Sequence, residues 1–238
     1  MDQGNTAFVL IAAALVLLMT PGLAFFYGGM VKAKSVVSMM MLSFGSLGLI
    51  GVLWVLYGYA ISFSNKGSGN FVGVDGWFGI DLDSIGLNAQ VQDALTRTEG
   101  YPTLAFVAFQ ATFAIITVAL ISGAIADRAK FGAWMVFAGL WATFIYFPVA
   151  NWVFNFTLGE DGSIVDGGWI VYNLGVIDFA GGTAVHINAG AAGLALAIVL
   201  GKRFGFSKGI TQPHNVPLTL LGTALLWFGW FGFNAGSE

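Results

Sequence analysis

The stretch DFAGGTAVHINAGAAGLALAIVL, residues 178–200, contains an aspartate and a histidine and then runs to its end without another ionisable side chain. A run of about 20 mostly apolar residues is long enough to cross a bilayer as an α-helix. Glycine and alanine are frequent in it, and small residues let helices approach closely inside a membrane. The stretch therefore predicts a membrane-spanning helix that carries a carboxylate and an imidazole.

The composition extends this prediction to the whole chain. Of 238 residues, 57% are hydrophobic and only 9% are charged, and the mean hydropathy is +0.82. Soluble domains carry charge on about a quarter of their residues, so these values indicate a polytopic membrane protein. The net charge of -3 argues against a nucleic-acid partner. Without cysteine, and with only His186 and His214, we expect neither a metal site nor another cofactor.

Six apolar segments are long enough to span a bilayer, and together they predict an all-α integral membrane protein, a polytopic helix bundle. The predicted spans are about 7–30, 35–63, 104–126, 131–153, 178–200 and 216–237. The segments 64–103 and 155–177 are too polar to cross and contain turn-forming Gly, Asn, Asp and Ser. A transmembrane barrel is not favoured, because the sequence lacks the short alternating strands that it requires.

Basic residues are distributed unevenly between the predicted loops. Those after the first, third and fifth spans are Lys32, Lys34, Arg128, Lys130, Lys202, Arg203 and Lys208, and those on the other side are Lys66 and Arg97. An excess of Lys and Arg marks the cytoplasmic side, so we predict a multi-pass protein of the cell (plasma) membrane with its N-terminus outside. No basic residue precedes the first span, which therefore reads as an anchor and not as a cleaved signal.

The number of spans suggests how the chain is organised. Five spans followed by a sixth predict the first five-helix unit of an inverted repeat plus the opening helix of the second, because such repeats need an odd number of spans per unit. No internal repeat is evident within residues 1–238, and the last residues, FNAGSE, still belong to an apolar helix. We therefore expect residues 1–238 to form one incomplete membrane domain, a fragment or a truncated chain.

The two ionisable residues of the opening stretch each allow two interpretations. Asp178 is predicted at the outer start of the fifth span, where a carboxylate caps free N–H groups and meets the positive end of the helix dipole. This structural role is an alternative to a functional one. His186 would lie about 12 Å deeper on a continuous helix. A charged group there costs about 2.5–3.5 kcal/mol, so His186 is expected to face the protein interior and mark a pathway, or else to be a neutral residue in one interhelical hydrogen bond.

The segment DFAGGTAVHINAG resembles the signature of the ammonium transporter (Amt/MEP/Rh) family. Further similar segments are TPGLAFFYGGMVKAKSVVSMMM at 20–41, FQATFAIITVALISGAIADR at 109–128 and GWFGFNAGSE at 229–238. The resemblance covers essentially every predicted span in family order. It implies a transporter and not an enzyme. Such a transporter would recruit ammonium at an outer aromatic vestibule, remove a proton and pass ammonia through a hydrophobic lumen that contains histidine.

The resemblance also implies roles for individual residues. The residues that match the family's substrate-binding vestibule are Phe113, Phe154, Ser237 and Asp178. Phe154 stands where the family has tryptophan, and phenylalanine is the weaker partner for a cation. The residues implied for the gate and the pore are Phe109, Phe113, Phe233, Trp230 and His186. For every one of these aromatic side chains, ordinary packing is the alternative.

The resemblance also implies partners, and other functions compete with the transporter interpretation. The implied partners are ammonium or ammonia, membrane lipid, the other subunits of a homotrimer and, as a candidate, a cytoplasmic PII-type regulator. The alternatives are an ammonium sensor, a non-conducting truncated transporter, and a proton-coupled carrier for another solute, which should have more buried carboxylates than Asp178. An intramembrane hydrolase using Ser237 and His186 is disfavoured, because their expected depths are too different for a nucleophile–base hydrogen bond.

Overall fold

The computed structural model describes residues 1–64, 70–92, 97, 99–203, 205–208 and 212–237. Six helices in this part of the chain are long and apolar enough to cross a membrane. They are α1 (Gln3–Met30), α2 (Ala33–Ser62), α3 (Thr103–Ile125), α4 (Phe131–Phe154), α5 (Gly182–Leu200) and α6 (Val216–Ala235). The predicted all-α membrane bundle is thereby confirmed. Lys66, which was used above to assign the orientation, lies outside the described residues.

Several of these helices are irregular. The first turn of α2 (Ala33–Ser35) and the last turn of α3 (Ser122–Ile125) are 3₁₀-helical. Wider π-helical turns occur in α2 at Trp54–Gly58, in α4 at Ala142–Tyr146 and at the start of α5 at Gly182–Ile187. Because π turns are rare and concentrate at functional sites, the one that contains His186 marks the start of α5 as a region of interest.

Hydrogen bonds identify the helix ends that lie at one end of the bundle. The backbone N–H of Asn215, before α6, donates to the carbonyl of Gly29 near the end of α1 over 3.2 Å. The guanidinium of Arg128, after α3, donates to the carbonyl of Gly201, after α5. The described loops at this end contain Lys32, Lys34, Lys130, Lys202 and Arg203. We call it the basic end.

The opposite end is held together in the same way. The backbone N–H of Asp2, before α1, donates to the carbonyl of Gly100, before α3, over 2.7 Å. The side-chain amide of Asn151, in the last turn of α4, donates to the carbonyl of Ser64, after α2, over 3.2 Å. Two small β-hairpins follow α2 and α4 here, so we call this the hairpin end.

These hairpins differ from the sequence prediction, which treated both segments as polar loops. Strands β1 (Phe71–Val74) and β2 (Phe78–Asp81) form one antiparallel pair, and β3 (Phe156–Leu158) and β4 (Ile164–Gly167) form the other. A 3₁₀ segment (Leu82–Leu87) and a short helix (Asn88–Gln92) follow β2. Strands this short carry too few residues for an alternating pattern to stand out, which explains why the sequence did not reveal them.

Helix α6 packs against α1 through backbone contacts at glycine. A Cβ atom placed on Gly222 would lie 2.2 Å from the backbone nitrogen of Phe26, and one on Gly229 would lie 2.2 Å from Cγ of Met19. No larger residue fits at such distances without moving the helices apart, so small residues are required here. The glycines at this contact are Gly22, Gly29, Gly222, Gly229 and Gly232.

Helix α3 is the central helix of the described bundle, with 78% of its most apolar window buried. One buried cluster brings together Phe109 and Phe113 of α3, Val185 of α5 and Phe233 of α6. The interior therefore contains aromatic rings from helices that are distant in sequence, close to the hairpin end.

The N-outside orientation can be tested directly, because the chain contains no cysteine. We expect a cysteine at Glu160, between β3 and β4, to react with a membrane-impermeant thiol reagent added to intact cells. A cysteine at Ser207, in the loop after α5, should react only after the cells are permeabilised. Both side chains are exposed, so accessibility within the protein does not limit either reaction. The reverse labelling pattern would overturn the orientation.

Candidate functional site

A cavity of about 280 Å³ opens at the hairpin end of the bundle. It is lined by all four residues predicted for substrate binding, Phe113, Phe154, Asp178 and Ser237, and by Phe109. These residues come from α3, α4 and the segments before α5 and after α6. The cavity is therefore made by the tertiary fold and not by any one motif.

The inner wall of this cavity is a set of aromatic rings around Phe113, which is only 1% exposed. The ring of Phe113 stacks on Phe233, with centroids 4.2 Å apart and planes 22° apart. Phe109 lies edge-on at 4.8 Å, and Phe154 lies at 6.3 Å with its plane turned by 85°. The stacked pair of Phe113 and Phe233 therefore closes the inner end of the cavity.

Beyond that pair lie His186 and Trp230, which do not line the cavity. The imidazole of His186 is 5.9 Å from the Phe233 ring, and it stacks on the indole of Trp230 with centroids 5.7 Å apart. Phe233 thus touches Phe113 on one side and His186 on the other. All five residues predicted for the gate and the pore belong to one continuous group of rings.

Asp178 holds the start of α5 in place with both of its carboxylate oxygens. Oδ1 accepts the backbone N–H groups of Gly181 and Gly182 at 2.6 and 2.8 Å, and Oδ2 accepts those of Thr183 and Ala184 at 2.8 and 2.9 Å. Asp178 therefore has the helix-capping role that was one of its two predicted interpretations. It accepts four N–H groups, whereas an ordinary N-cap side chain accepts about one.

The same hydrogen bonds correct the predicted span 178–200. Helix α5 begins at Gly182, and Gly181 before it has a left-handed backbone with φ of 96°. The chain must turn at Gly181 to bring four successive N–H groups onto one carboxylate, so a helix cannot run continuously from Asp178. The predicted depth of about 12 Å for His186 assumed such a helix, and that premise is wrong, because the helix begins at Gly182 and His186 lies in its first turns.

His186 is also exposed in the described part of the chain, where the sequence predicted an interior position. Its Nδ1 lies 3.1 Å from the carbonyl oxygen of Gly181. Because a carbonyl only accepts hydrogen bonds, Nδ1 is the donor in this contact, and in the neutral tautomer with that hydrogen Nε2 is an acceptor. On the same exposed side lie Trp230, 40% exposed, and Trp227, 72% exposed.

Ser237 is placed at the cavity and not at the histidine. Its hydroxyl donates to the carbonyl of Phe233 over 2.8 Å, so its oxygen lone pairs remain available as acceptors. The hydrogen bonds of Ser237 and His186 go to different partners, Phe233 and Gly181. The two residues therefore do not form the nucleophile–base pair of a hydrolase.

Trp152, the tryptophan nearest in sequence to Phe154, lies in a separate cluster. Its indole N–H donates to the carbonyl of Trp77, and the rings of Trp77 and Trp169 stack 4.9 Å apart. This cluster joins the two hairpins. The only aromatic ring that the end of α4 supplies to the cavity is that of Phe154.

The cavity also contains residues that sequence reasoning did not single out: Arg97, Glu99, Tyr101, Phe106 and Gln110. Burial raises the pKa of Tyr101, so this hydroxyl stays protonated at neutral pH. Most of these residues lie in the segment 64–103, which was predicted only as a polar loop, and no motif connects them to the aromatic residues. Among the described residues, no group of three or more His, Asp or Glu side chains is placed to hold a metal ion.

Six helices that are long and apolar enough to cross a membrane define a multi-pass membrane protein. The chain belongs to the Ammonium Transporter Family, whose sequence model matches residues 7–238. This confirms the resemblance noted in the sequence.

Individual relatives agree with this assignment. The chain is 58% identical over 245 residues to an ammonium transporter of Mycobacterium tuberculosis, covering 99% of this chain and 50% of the relative. It matches the crystal structure of Mep2 from Saccharomyces cerevisiae with a TM-score of 0.82 and 34% identity, over 100% of this chain and 50% of that one. A solved structure described as a sensor Amt protein matches with a TM-score of 0.81 and 31% identity, over 98% of this chain and 54% of that one. The chain thus spans about half the length of the relatives it matches.

Proposed function

We propose that the chain forms one half of a protein that transports ammonium or ammonia across the cell membrane, with the hairpin end outside. The observation that carries this proposal is the order of groups along one path. The cavity leads to the buried stack of Phe113 on Phe233, and Phe233 leads to His186. Membership of the Ammonium Transporter Family supports the choice of substrate.

In this proposal the outer cavity recruits the cation. Ammonium is small and can be held over aromatic faces, each contact contributing about 0.5–2 kcal/mol according to its exposure. Phe113 and Phe154 supply two such faces at right angles, and the free lone pairs of Ser237 can accept an N–H from the cation. Asp178 contributes by fixing the start of α5, since both of its oxygens already accept backbone N–H groups.

Beyond the cavity the substrate would have to pass as neutral ammonia. The Phe113–Phe233 stack offers no polar partner to a cation, and charge is costly in such an environment. The proton would therefore pass to water in the open outer cavity before ammonia enters the stack. In the neutral tautomer with the hydrogen on Nδ1, Nε2 of His186 would accept a hydrogen bond from the ammonia that arrives on the inner side.

The proposal places this pathway between two halves of a longer chain. In inverted-repeat transporters the pathway lies at the interface of the repeats, and His186 and Trp230 are exposed on one side of the described bundle. We further propose that the longer protein is a homotrimer of the plasma membrane, with a cytoplasmic PII-type regulator as a candidate partner. The neighbouring subunits and the regulator would each contact surfaces other than the cavity.

Phe154→Trp tests the role of the cavity. We expect this substitution to lower the apparent KM for methylammonium about two- to fivefold, because indole offers a stronger and larger face to a cation than benzene does. The measurement is uptake into cells that lack their own transporters. It uses an extended chain, in which residues 1–238 are followed by the remaining half of the M. tuberculosis relative.

Phe144→Trp is the matched control, because Phe144 lies on the same helix, is 64% exposed and does not line the cavity. It should leave the apparent KM unchanged. If the extended chain takes up methylammonium but Phe154→Trp behaves like this control, the cation does not bind against Phe154. If the extended chain gives no saturable uptake, the proposed function is wrong.

An ammonium sensor is a second candidate, and one observation favours it: the match to the structure described as a sensor Amt protein. A sensor that shares this fold would bind ammonium at the same cavity but would not depend on flux through the aromatic stack. Ammonium binding without uptake by the extended chain would favour this candidate.

A further inference from the structure

The mouth of the outer cavity already holds a positive charge. The guanidinium carbon of Arg97 lies 4.0 Å from the centroid of the Phe106 ring, and both residues line the cavity. This is the geometry in which a cation is attracted to an aromatic face. A side chain of the protein therefore occupies an aromatic face in the same cavity to which we assign cation binding.

Glu99 offsets this charge from the same loop. Nε of Arg97 lies 3.2 Å from Oε2 of Glu99, and Nη2 lies 3.4 Å from Oε1. The two side chains are 32% and 45% exposed, so water and mobile ions reach them. The pair is thus nearly neutral as a unit, but each partner alone would change the electrostatic potential at the mouth.

The backbone holds this pair in position. Arg97 and Tyr101 close a turn through an N–H···O bond of 3.0 Å, and the N–H of Gly100 donates to the carbonyl of Arg97 over 2.9 Å. The side-chain amide of Asn5 donates to the carbonyl of Glu99 over 2.8 Å, which ties the turn to the start of α1. These bonds place the backbone of Arg97 and Glu99 at the cavity mouth and do not depend on the charge of either side chain.

Among the described residues that line the cavity, the charged side chains are Arg97, Glu99 and Asp178. Both oxygens of Asp178 are taken up by backbone N–H groups. Substituting Arg97 or Glu99 therefore changes the charge at the cavity without removing the anchor of α5.

We propose that Arg97 is a specificity-determining residue, a tethered cation that competes with the substrate cation at the cavity mouth, and that Glu99 limits this competition. The inference rests on the proposed function, since it concerns the affinity of the same cavity. It predicts effects of opposite sign for the two partners. Neutralising Arg97 should favour the substrate cation, whereas neutralising Glu99 should leave the guanidinium unpaired and disfavour it.

The test compares Arg97→Gln and Glu99→Gln in the extended chain by methylammonium uptake at low ionic strength, with matched membrane levels. We expect the apparent KM to fall about two- to tenfold in Arg97→Gln and to rise by a similar factor in Glu99→Gln, with little change in maximal rate. Both shifts should shrink when the salt concentration is raised, because these groups are partly exposed. Glu160→Gln, which removes an acid outside the cavity, should have no such effect.

The directions of the two changes in apparent KM distinguish an electrostatic role of the pair from a structural one. If the pair only stabilised the turn, both substitutions would impair uptake in the same direction and the shifts would not depend on salt. That result, or an unchanged KM in both variants, would overturn the inference and leave the proposed function standing. If the unsubstituted extended chain shows no saturable uptake, the proposed function fails and the inference fails with it.

Discussion

Asp178→Ala is expected to reduce methylammonium uptake by the extended chain by about 100-fold or more, which corresponds to roughly 2.7 kcal/mol. The carboxylate accepts four backbone N–H groups at the start of α5, and hydrogen bonds to charged groups contribute about 1.5–3 kcal/mol each. Alanine leaves these N–H groups without an acceptor. The turn at Gly181 then relaxes, and His186, whose Nδ1 is bonded to Gly181, loses its position.

Asp178→Asn should be almost as damaging, although asparagine is a good cap at ordinary helix starts. Each carboxylate oxygen accepts two N–H groups, and an amide has only one oxygen. Its NH₂ group would face two backbone donors. Uptake by Asp178→Asn close to that of the unsubstituted chain would show that the anchoring account is wrong.

Asp161→Ala is the matched control for Asp178, since it removes the same charge from the hairpin end. Asp161 is fully exposed and lies outside the cavity. We expect unchanged uptake, because its carboxylate accepts hydrogen bonds from Ser163 in the same exposed turn and a charge in water is screened within about 10 Å at 0.1 M salt. An equal loss in both variants would mean that net negative charge at this end is what matters.

The second large effect concerns residues 1–238 expressed alone. We expect this segment to insert into the membrane and to give no saturable uptake, whereas the extended chain transports. In the segment, His186, Trp230 and Trp227 lie on an exposed side of the bundle. A pathway bounded on one side only would be open to lipid, where polar groups are penalised.

The comparison requires equal amounts of both proteins in the membrane, measured in the same cells. The thiol-labelling pattern described above serves as the control for insertion of the segment. Saturable methylammonium uptake by the segment alone would contradict the prediction and show that the described helices suffice for conduction.

The membrane helices could be predicted from the sequence because their signal is local. Each is a long apolar run, and charged or turn-forming residues separate it from the next run. Hydropathy alone locates such runs. The start of α5 was misplaced because its position depends on hydrogen bonds from Asp178 across the glycines that follow. Hydropathy does not indicate which backbone N–H groups will donate hydrogen bonds to a carboxylate.

The aromatic residues of the site could be assigned only through resemblance to a family. Composition offers 22 phenylalanines, and nothing in the spacing of Phe113 and Phe233 indicates that their rings stack. Arg97 and Phe106 were missed for a related reason. The turn that carries Arg97 is tied to the start of α1 by the hydrogen bond between Asn5 and Glu99, which are 94 residues apart in sequence, and no local pattern predicts such a contact.

The glycine contact between α1 and α6 has a consequence for biosynthesis. Helix α1 leaves the ribosome before α6, so the surface around Gly22 meets its permanent neighbour only when Gly222 and Gly229 follow with α6. Contacts between such distant parts of a chain form late, because a long loop must close first. Until α6 has been synthesised, this surface of α1 must therefore face lipid or pack transiently against another helix. Quality-control factors that survey nascent membrane proteins would therefore meet α1 before α6 packs against it.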